Sequence, residues 1–166
     1  MSWEIERRYL VQVPDDVWTT LGPGTRLRQG YVVAGPISVR IRSGEDRGFI
    51  LNCKSGAGVR RREVETPVPA EMAQALFDAA GARIIEKVRH RDGRWEVDRF
   101  LGPLEGLALL EIELWDEDEP VPEVPVGVSI LREVTDDKRF VSSSLASLTE
   151  GEKKHWVTRV YQECGA

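Results

Sequence analysis

Charge recurs at every second residue along most of the apolar stretches of this 166-residue chain. In the first of them Glu4, Glu6 and Arg8 fall on one side of an extended backbone, while Ile5, Tyr9 and Val11 fall mainly on the other, because successive strand side chains point to opposite faces. Further on, Arg40 and Arg42 oppose Val39 and Ile41, and Lys54 opposes Cys53 and Leu51. Glu63 and Glu65 share a face with Arg61, Lys87 shares one with Arg89 and Arg91, and Glu96 with Asp98. Glu111 and Glu113 complete the set against Leu110, Ile112 and Leu114. Alternation of this period is the signature of strands whose two faces meet different environments, so most of the chain reads as β. The charged faces hold clusters of carboxylates and of cations, and few of the Ser and Thr residues that ordinarily populate a solvated strand face.

The strand-like runs cover residues 4–11, 37–42, 49–54, 61–65, 87–91, 94–100 and 109–115. Ser43-Gly44-Glu45-Asp46 and Arg91-Asp92-Gly93-Arg94 read as hairpin turns, with Gly placed to take the positive φ that tight turns demand, so the neighbours are antiparallel. One segment breaks the alternation. Residues 70–80 are good helix formers with Met72, Leu76 and Phe77 on an apolar side, and Gly81 stands where a helix would end. A second helix is expected over 143–148, after the polar turn Asp136-Asp137-Lys138. Residues 117–125 mix acids and prolines as a surface loop does, and 151–166 read as a tail or a last packed strand. The length suits one domain, here assigned to 1–148, with 149–166 as tail or last packed element.

With 31% charged and 41% hydrophobic residues the chain is too apolar for disorder and too charged for a membrane protein. The net charge of -5 argues against a nucleic-acid-binding surface. Glu4 and Glu6 stand where a signal peptide needs basic residues, and no run approaches the roughly 20 apolar residues of a membrane span. Cys53 and Cys164 are far apart and form neither a disulfide framework nor a CxxC site. A cytoplasmic setting follows, with no nucleic-acid or membrane partner expected.

Two arrangements satisfy these strands. In one, an antiparallel sheet keeps its apolar face on a core and its charges in water. In the other, the sheet closes into a barrel whose charged face lines the lumen. Buried charge at that density is prohibitively costly unless the charges match one another and a charged ligand. A polyphosphate with metal ions supplies that match, cations binding its oxygens and carboxylates binding hard divalent ions such as Mg²⁺ or Mn²⁺. Apolar strand backs must be covered by helices or by a second copy of the chain, so a homodimer is compatible with the sequence. No Walker GxxxxGK[ST] or HExxH motif is present. His90 falls on the apolar side of its strand and reads as structural, and Gly56-Ala57-Gly58 reads as a turn rather than part of a dinucleotide fingerprint.

At these residues the chain resembles the triphosphate tunnel metalloenzymes, or CYTH proteins. Glu4-Ile5-Glu6-Arg7-Arg8 is similar to the family's ExExK strand, with Arg8 in place of the lysine. Gln29-Gly30-Tyr31, Val39-Arg40-Ile41-Arg42, Leu51-Asn52-Cys53-Lys54-Ser55, Glu63-Val64-Glu65, Glu86-Lys87-Val88-Arg89, Glu96-Val97-Asp98-Arg99-Phe100 and Glu111-Ile112-Glu113 follow in the family's order. The segment 133–140, ending in Phe140 where tyrosine is common, is similar to a late conserved region.

The resemblance implies a mainly β (α+β) fold, a closed eight-stranded antiparallel β-barrel with a few flanking helices. It implies metal binding, by two Mg²⁺ or Mn²⁺ ions, at Glu4, Glu6, Glu113, Glu111 and Asp98. Triphosphate binding falls to Arg8, Tyr31, Arg40, Arg42, Lys54, Lys87, Arg89 and Arg139, and catalysis to Arg8, Lys54, Lys87, Glu63 and Glu65. The replacement at Arg8 keeps the charge but exchanges a compact ammonium for a planar guanidinium. The expected reaction is metal-dependent hydrolysis of inorganic triphosphate to pyrophosphate and phosphate. Alternatives are a class IV adenylate cyclase, making cyclic AMP and pyrophosphate from ATP, and a non-catalytic polyphosphate-binding module.

Overall fold

A computed structural model describes residues 2–44, 48–57 and 59–166. Its strands are β1 (Ser2–Gln12), β2 (Thr25–Val33), β3 (Ile37–Gly44), β4 (Gly48–Ala57), β5 (Arg60–Val68), β6 (Ile84–Asp92), β7 (Trp95–Phe100), β8 (Ala108–Leu114) and β9 (Ser129–Glu133). Eight of them run in the order β5-β4-β3-β2-β6-β7-β8-β1, and antiparallel pairing of β1 with β5 closes the sheet on itself. The sheet is therefore a barrel. Closure requires stagger between strands, and it is visible in β1: Ser2 to Ile5 pair with β5, whereas Tyr9 to Gln12 run beyond it and pair with β9.

The helices are α1 (Asp15–Thr20), α2 (Ala70–Ala80), α3 (Ser142–Ser147) and α4 (Glu150–Gln162). Among the described residues no helix is long and apolar enough to cross a membrane. Helix α2 has the bounds its sequence predicts, and Gly81 ends it at φ 60° with its N–H donating to the Phe77 carbonyl at 3.2 Å. Ala73 and Phe77 pack on Ile41 of β3. Gly30 in β2 permits this approach, since a Cβ there would meet Phe77 Cδ1 at 2.9 Å and Ala80 Cβ at 3.0 Å. On the other side, Trp18 of α1 and the segment around Val124 and Val128 cover Tyr9, Trp95, Val97 and Leu110. These strand backs are thus buried by the chain's own helices and loops.

The third apolar cluster sits at one end of the lumen. Leu10, Phe100, Ile85 and Leu109 lie two residues along from Arg8, Asp98, Lys87 and Glu111, so the same inner face that is charged along the tunnel turns apolar there. Phe140, Leu145, Trp156, Val157 and Val160 close it. The residues read as a tail or strand, 151–166, are mostly helix α4, because Lys153, Trp156, Val157 and Val160 recur at helical spacing and bury one face. A capping box starts the helix: Thr149 Oγ1 accepts from the Glu152 N–H at 3.3 Å, and Glu152 accepts from the Thr149 N–H at 2.7 Å. Thr149→Ala is expected to cost about 1 kcal/mol, read as a fall of about 2–4 °C in Tm by calorimetry.

Three further points differ from the sequence reading. Strands β2 and β9 and helix α1 had no clear periodic signal. In the β3–β4 hairpin it is Gly48, at φ 63°, that takes the positive φ, while Gly44 pairs with it inside the ladder. Glu45, Asp46 and Gly58 lie outside the described residues, and Gly56 and Ala57 end β4.

Candidate functional site

Register puts the charged faces of the strands on the inside of the barrel. Arg8 stands opposite Glu111 and Glu6 opposite Glu113, Arg89 opposite Asp98, Arg40 opposite Tyr31 and Asn52, and Lys54 opposite Glu63. Side chains so paired are within contact range of each other.

The deepest group is built on Asp98, which is 0% exposed. Arg89 donates to it through Nε at 2.7 Å and Nη2 at 2.6 Å, and the Lys87 ammonium lies against the same carboxylate. Burial would raise the Asp98 carboxyl, but Arg89 and Lys87 overcome it and hold the group below its usual range. Glu111 receives Arg8 Nε at 2.6 Å and Arg89 Nη2 at 2.9 Å. Against burial, Arg8, Lys87 and Arg89 hold its carboxyl well below the usual range. Both acids stay ionised and orient cations. Arg8 donates also to Glu6 at 2.7 Å and to the Phe140 carbonyl at 3.2 Å, joining β1, β8 and the segment that closes the lumen. The guanidinium reaches these three partners through three separate nitrogens.

Nearer the β1–β5 seam, Lys54 donates to both oxygens of Glu4, at 2.9 and 2.7 Å, and lies 3.3 Å from Glu63. Arg61 donates to Glu6 at 2.8 Å, Arg42 to Glu65 at 3.0 Å, and Asn52 to Glu63 and to Glu65, the latter at 3.0 Å. Negative charge is in excess on this wall. Burial raises the Glu4 carboxyl despite Lys54, with Glu6 and Glu63 adding to the rise. Burial raises Glu113 as well, helped by Glu63 and Glu6.

On β3 the excess is positive. Among the described residues Arg40 has no carboxylate within ion-pair distance, and its Nε is buried without a hydrogen-bond partner. Burial and Arg40 together lower the Arg42 guanidinium. Tyr31, 2% exposed, sits here, and although burial would raise its hydroxyl, Arg40 draws it below the usual phenol range. Crowded cations and crowded carboxylates in one lumen suit a small, highly charged anion together with a hard cation. A cavity of about 830 Å³ opens beside Arg8, Lys54 and Arg61 and is otherwise lined by small and hydroxyl residues such as Ser38, Thr135 and Ser143, with Lys138 and Asp136.

The structure thus brings together Glu4, Glu6, Arg8, Tyr31, Arg40, Arg42, Lys54, Glu63, Glu65, Lys87, Arg89, Asp98, Glu111 and Glu113. It does not bring Arg139 to them. That side chain is exposed and held by Asp137 at 2.8 Å and Glu163 at 3.3 Å, because it leaves a 3-10 turn rather than a strand of the barrel. His90 packs on Trp18 and sits 2.9 Å from the Gly22 carbonyl, as its outward position predicts. Sequence reasoning passed over Gln29, Asn52, Arg61 and Glu96 as site residues. Strand parity places all four on the inner face, but two of them are uncharged amides without the charge signal that singled out the others.

No family model matches the chain. The inorganic triphosphatase of Acetivibrio thermocellus is 36% identical over 151 residues, covering 87% of this chain and 94% of that protein. The inorganic triphosphatase of Nitrosomonas europaea is 33% identical over 149 residues, covering 86% and 96%. The crystal structure of the inorganic triphosphatase NE1496 superposes with a TM-score of 0.58 at 30% identity, covering 90% of this chain and 97% of that one. With the closed eight-stranded tunnel and its charged lumen, this similarity over nearly the whole length makes the chain a member of the triphosphate tunnel metalloenzyme, or CYTH, family.

Proposed function

We propose that the protein hydrolyses inorganic triphosphate to pyrophosphate and orthophosphate inside the tunnel, with Mg²⁺ or Mn²⁺, two ions, as cofactor. The observation that carries this reading is the uneven pairing of charge in the lumen, where Arg40 is buried with its Nε unpartnered among the described residues while Glu6 and Glu113 stand opposite one another in register with Glu4 beside them on β1. A triphosphate takes up the cations and a divalent ion takes up the carboxylates.

The donor set fits such an ion in kind, being hard oxygens in mutual repulsion. Among the described residues no three His, Cys, Asp or Glu side chains converge as ready ligands, because Glu4 and Glu6 hold Lys54, Arg8 and Arg61. Glu4, Glu6 and Glu113 would hold the metal once those cations turn to phosphate. When bound, the ion polarises phosphoryl oxygens and neutralises part of their charge. Asp98 and Glu111 are better matched to fixing Lys87, Arg89 and Arg8 than to binding metal, since each is already neutralised by two cations.

In this reading Arg40, Arg42, Lys54, Lys87 and Arg89 bind and orient the triphosphate, and Glu63 and Glu65 order the attacking water. The apolar plug keeps bulk water from one end. Phosphoanhydride hydrolysis needs positioning and charge stabilisation rather than a protein nucleophile. Among the described residues no aromatic side chain lines the large cavity, so they offer no surface there for stacking a base or a thiazolium ring. This supports the inorganic substrate.

The test is to strip the protein of metal, add Mg²⁺ or Mn²⁺, and follow orthophosphate release from tripolyphosphate beside cyclic AMP formation from ATP. Metal-dependent release with far slower ATP turnover is expected. Cyclic AMP as the main product, or no turnover of tripolyphosphate with either metal, would overturn the reading.

A further inference from the structure

We propose that Asn52 positions the water that attacks the triphosphate; this rests on the hydrolytic reading above. Asn52 is 0% exposed and lies on the inner face of β4, between Arg40 of β3 and Glu65 of β5 in register. Its amide nitrogen spends its donors on Glu63 and on Glu65. That pair of contacts decides which way the amide faces, since turning it over would set its oxygen against two carboxylates.

The carbonyl oxygen is therefore held away from Glu63 and Glu65. Among the described residues it has no hydrogen-bond partner, although it is buried. A buried acceptor left without a donor costs free energy, and such an atom needs an explanation. The neighbouring Arg40 Nε is in the complementary condition, a buried donor without an acceptor. Triphosphate oxygens can satisfy Arg40 but not Asn52, because deprotonated phosphate accepts hydrogen bonds and does not donate them. Water can donate to the Asn52 oxygen while its own oxygen faces a terminal phosphorus held by Arg40 and Arg42.

In the step, the water oxygen forms a bond to the terminal phosphorus and the bond from that phosphorus to the bridging oxygen breaks. The electron pair leaves on the bridging oxygen as pyrophosphate. One water proton passes to the Glu63 carboxylate, beside Asn52, and the other stays on the orthophosphate. Lys54 and the Asn52 amide hold the Glu63 carboxyl below its usual range against the effect of burial, so it is ionised. Asn52 is in this sense a positioning residue, oriented by Glu63 and Glu65.

Asn52→Leu removes both the orphan oxygen and the amide at similar volume. The expected result is a fall in kcat on tripolyphosphate of about 10²-fold, the scale of lost positioning. KM, the Kd for tripolyphosphate measured by calorimetry in EDTA, and the half-saturating Mn²⁺ concentration should stay within a few-fold, with Tm held. Should the Leu variant not fold, Asn52→Gln, which keeps the amide and displaces its oxygen by one methylene, is read in the same way. An unchanged kcat overturns the proposal. So does a Kd that weakens in step with kcat, which would make Asn52 a substrate ligand, or a raised Mn²⁺ requirement, which would make it a metal ligand. Wild-type protein that does not hydrolyse tripolyphosphate would refute the hydrolytic reading itself, a result visible before any variant is made.

Discussion

Replacing Asp98 by Ala is expected to cost about 3–5 kcal/mol of folding stability, the penalty for leaving buried cations without their counter-ion. Asp98 is fully buried and takes Arg89 through two hydrogen bonds, with Lys87 against the same carboxylate. Glu111 cannot take over, because it is already shared by Arg8 and Arg89. For a chain of this size the loss corresponds to a fall in Tm on the order of 10 °C, measurable by calorimetry. Moderate salt should not restore it, since buried pairs are screened far less than exposed ones. A loss below about 1 kcal/mol, the range of surface ion pairs, would mean that the lumen is hydrated and that the deep cluster does not hold the barrel together. Activity should fall as well, because Lys87 and Arg89 lose the group that aims them.

Glu6→Gln should separate function from fold. The amide retains an oxygen that can accept from Arg8 and Arg61, now at 2.7 and 2.8 Å, so the packing at the seam persists while the charge is lost. Metal-dependent release of orthophosphate from tripolyphosphate is expected to drop on the order of 10³-fold, more than the 10–100-fold typical of residues one layer behind a metal ligand. Mn²⁺ binding to the substrate-free protein, followed by calorimetry or electron paramagnetic resonance, should weaken in parallel, with Tm changed little. Full activity in this variant would remove Glu6 from the metal set and leave Glu4 and Glu113 to account for any metal dependence. Full binding of tripolyphosphate with no turnover by the wild type would instead favour a polyphosphate-binding module.

How much of this was legible beforehand can be seen residue by residue. Helix α2 was read with its bounds because a 3.6-residue pattern and a terminating glycine are local signals. Seven of the strands were located by their period-two alternation, with every end within three residues of the observed one: most stop short where the ladder continues past the alternating core, while 94–100 begins and 109–115 ends one residue outside the strand. Helix α4 was not. Its apolar positions are sparse among Lys, Glu and Thr, and only the buried contacts of Trp156, Val157 and Val160 with the barrel end reveal which face is inside. The resemblance groups Arg139 with the strand cations, whereas in the structure it belongs to a turn whose neighbour Asp137 takes its guanidinium. Asn52 was overlooked for the opposite reason: an amide has no charge to stand out, and its importance comes from which atom the two neighbouring carboxylates leave free.

From the sequence alone, the period-two alternation settled which side chains share a face, because parity along a strand is a property of the backbone and needs no partner. It also made a charged inner face conceivable, since carboxylates and cations occur on those faces together. Only the tertiary structure decided that the sheet closes, through the short β1–β5 pairing that stagger permits. It alone matched each cation to its carboxylate, so that Asp98 and Glu111 are neutralised while Arg40 and Glu113 are left in excess. Those assignments depend on register between strands far apart in the chain, and register is set by closure and packing around the whole barrel rather than by any segment taken singly.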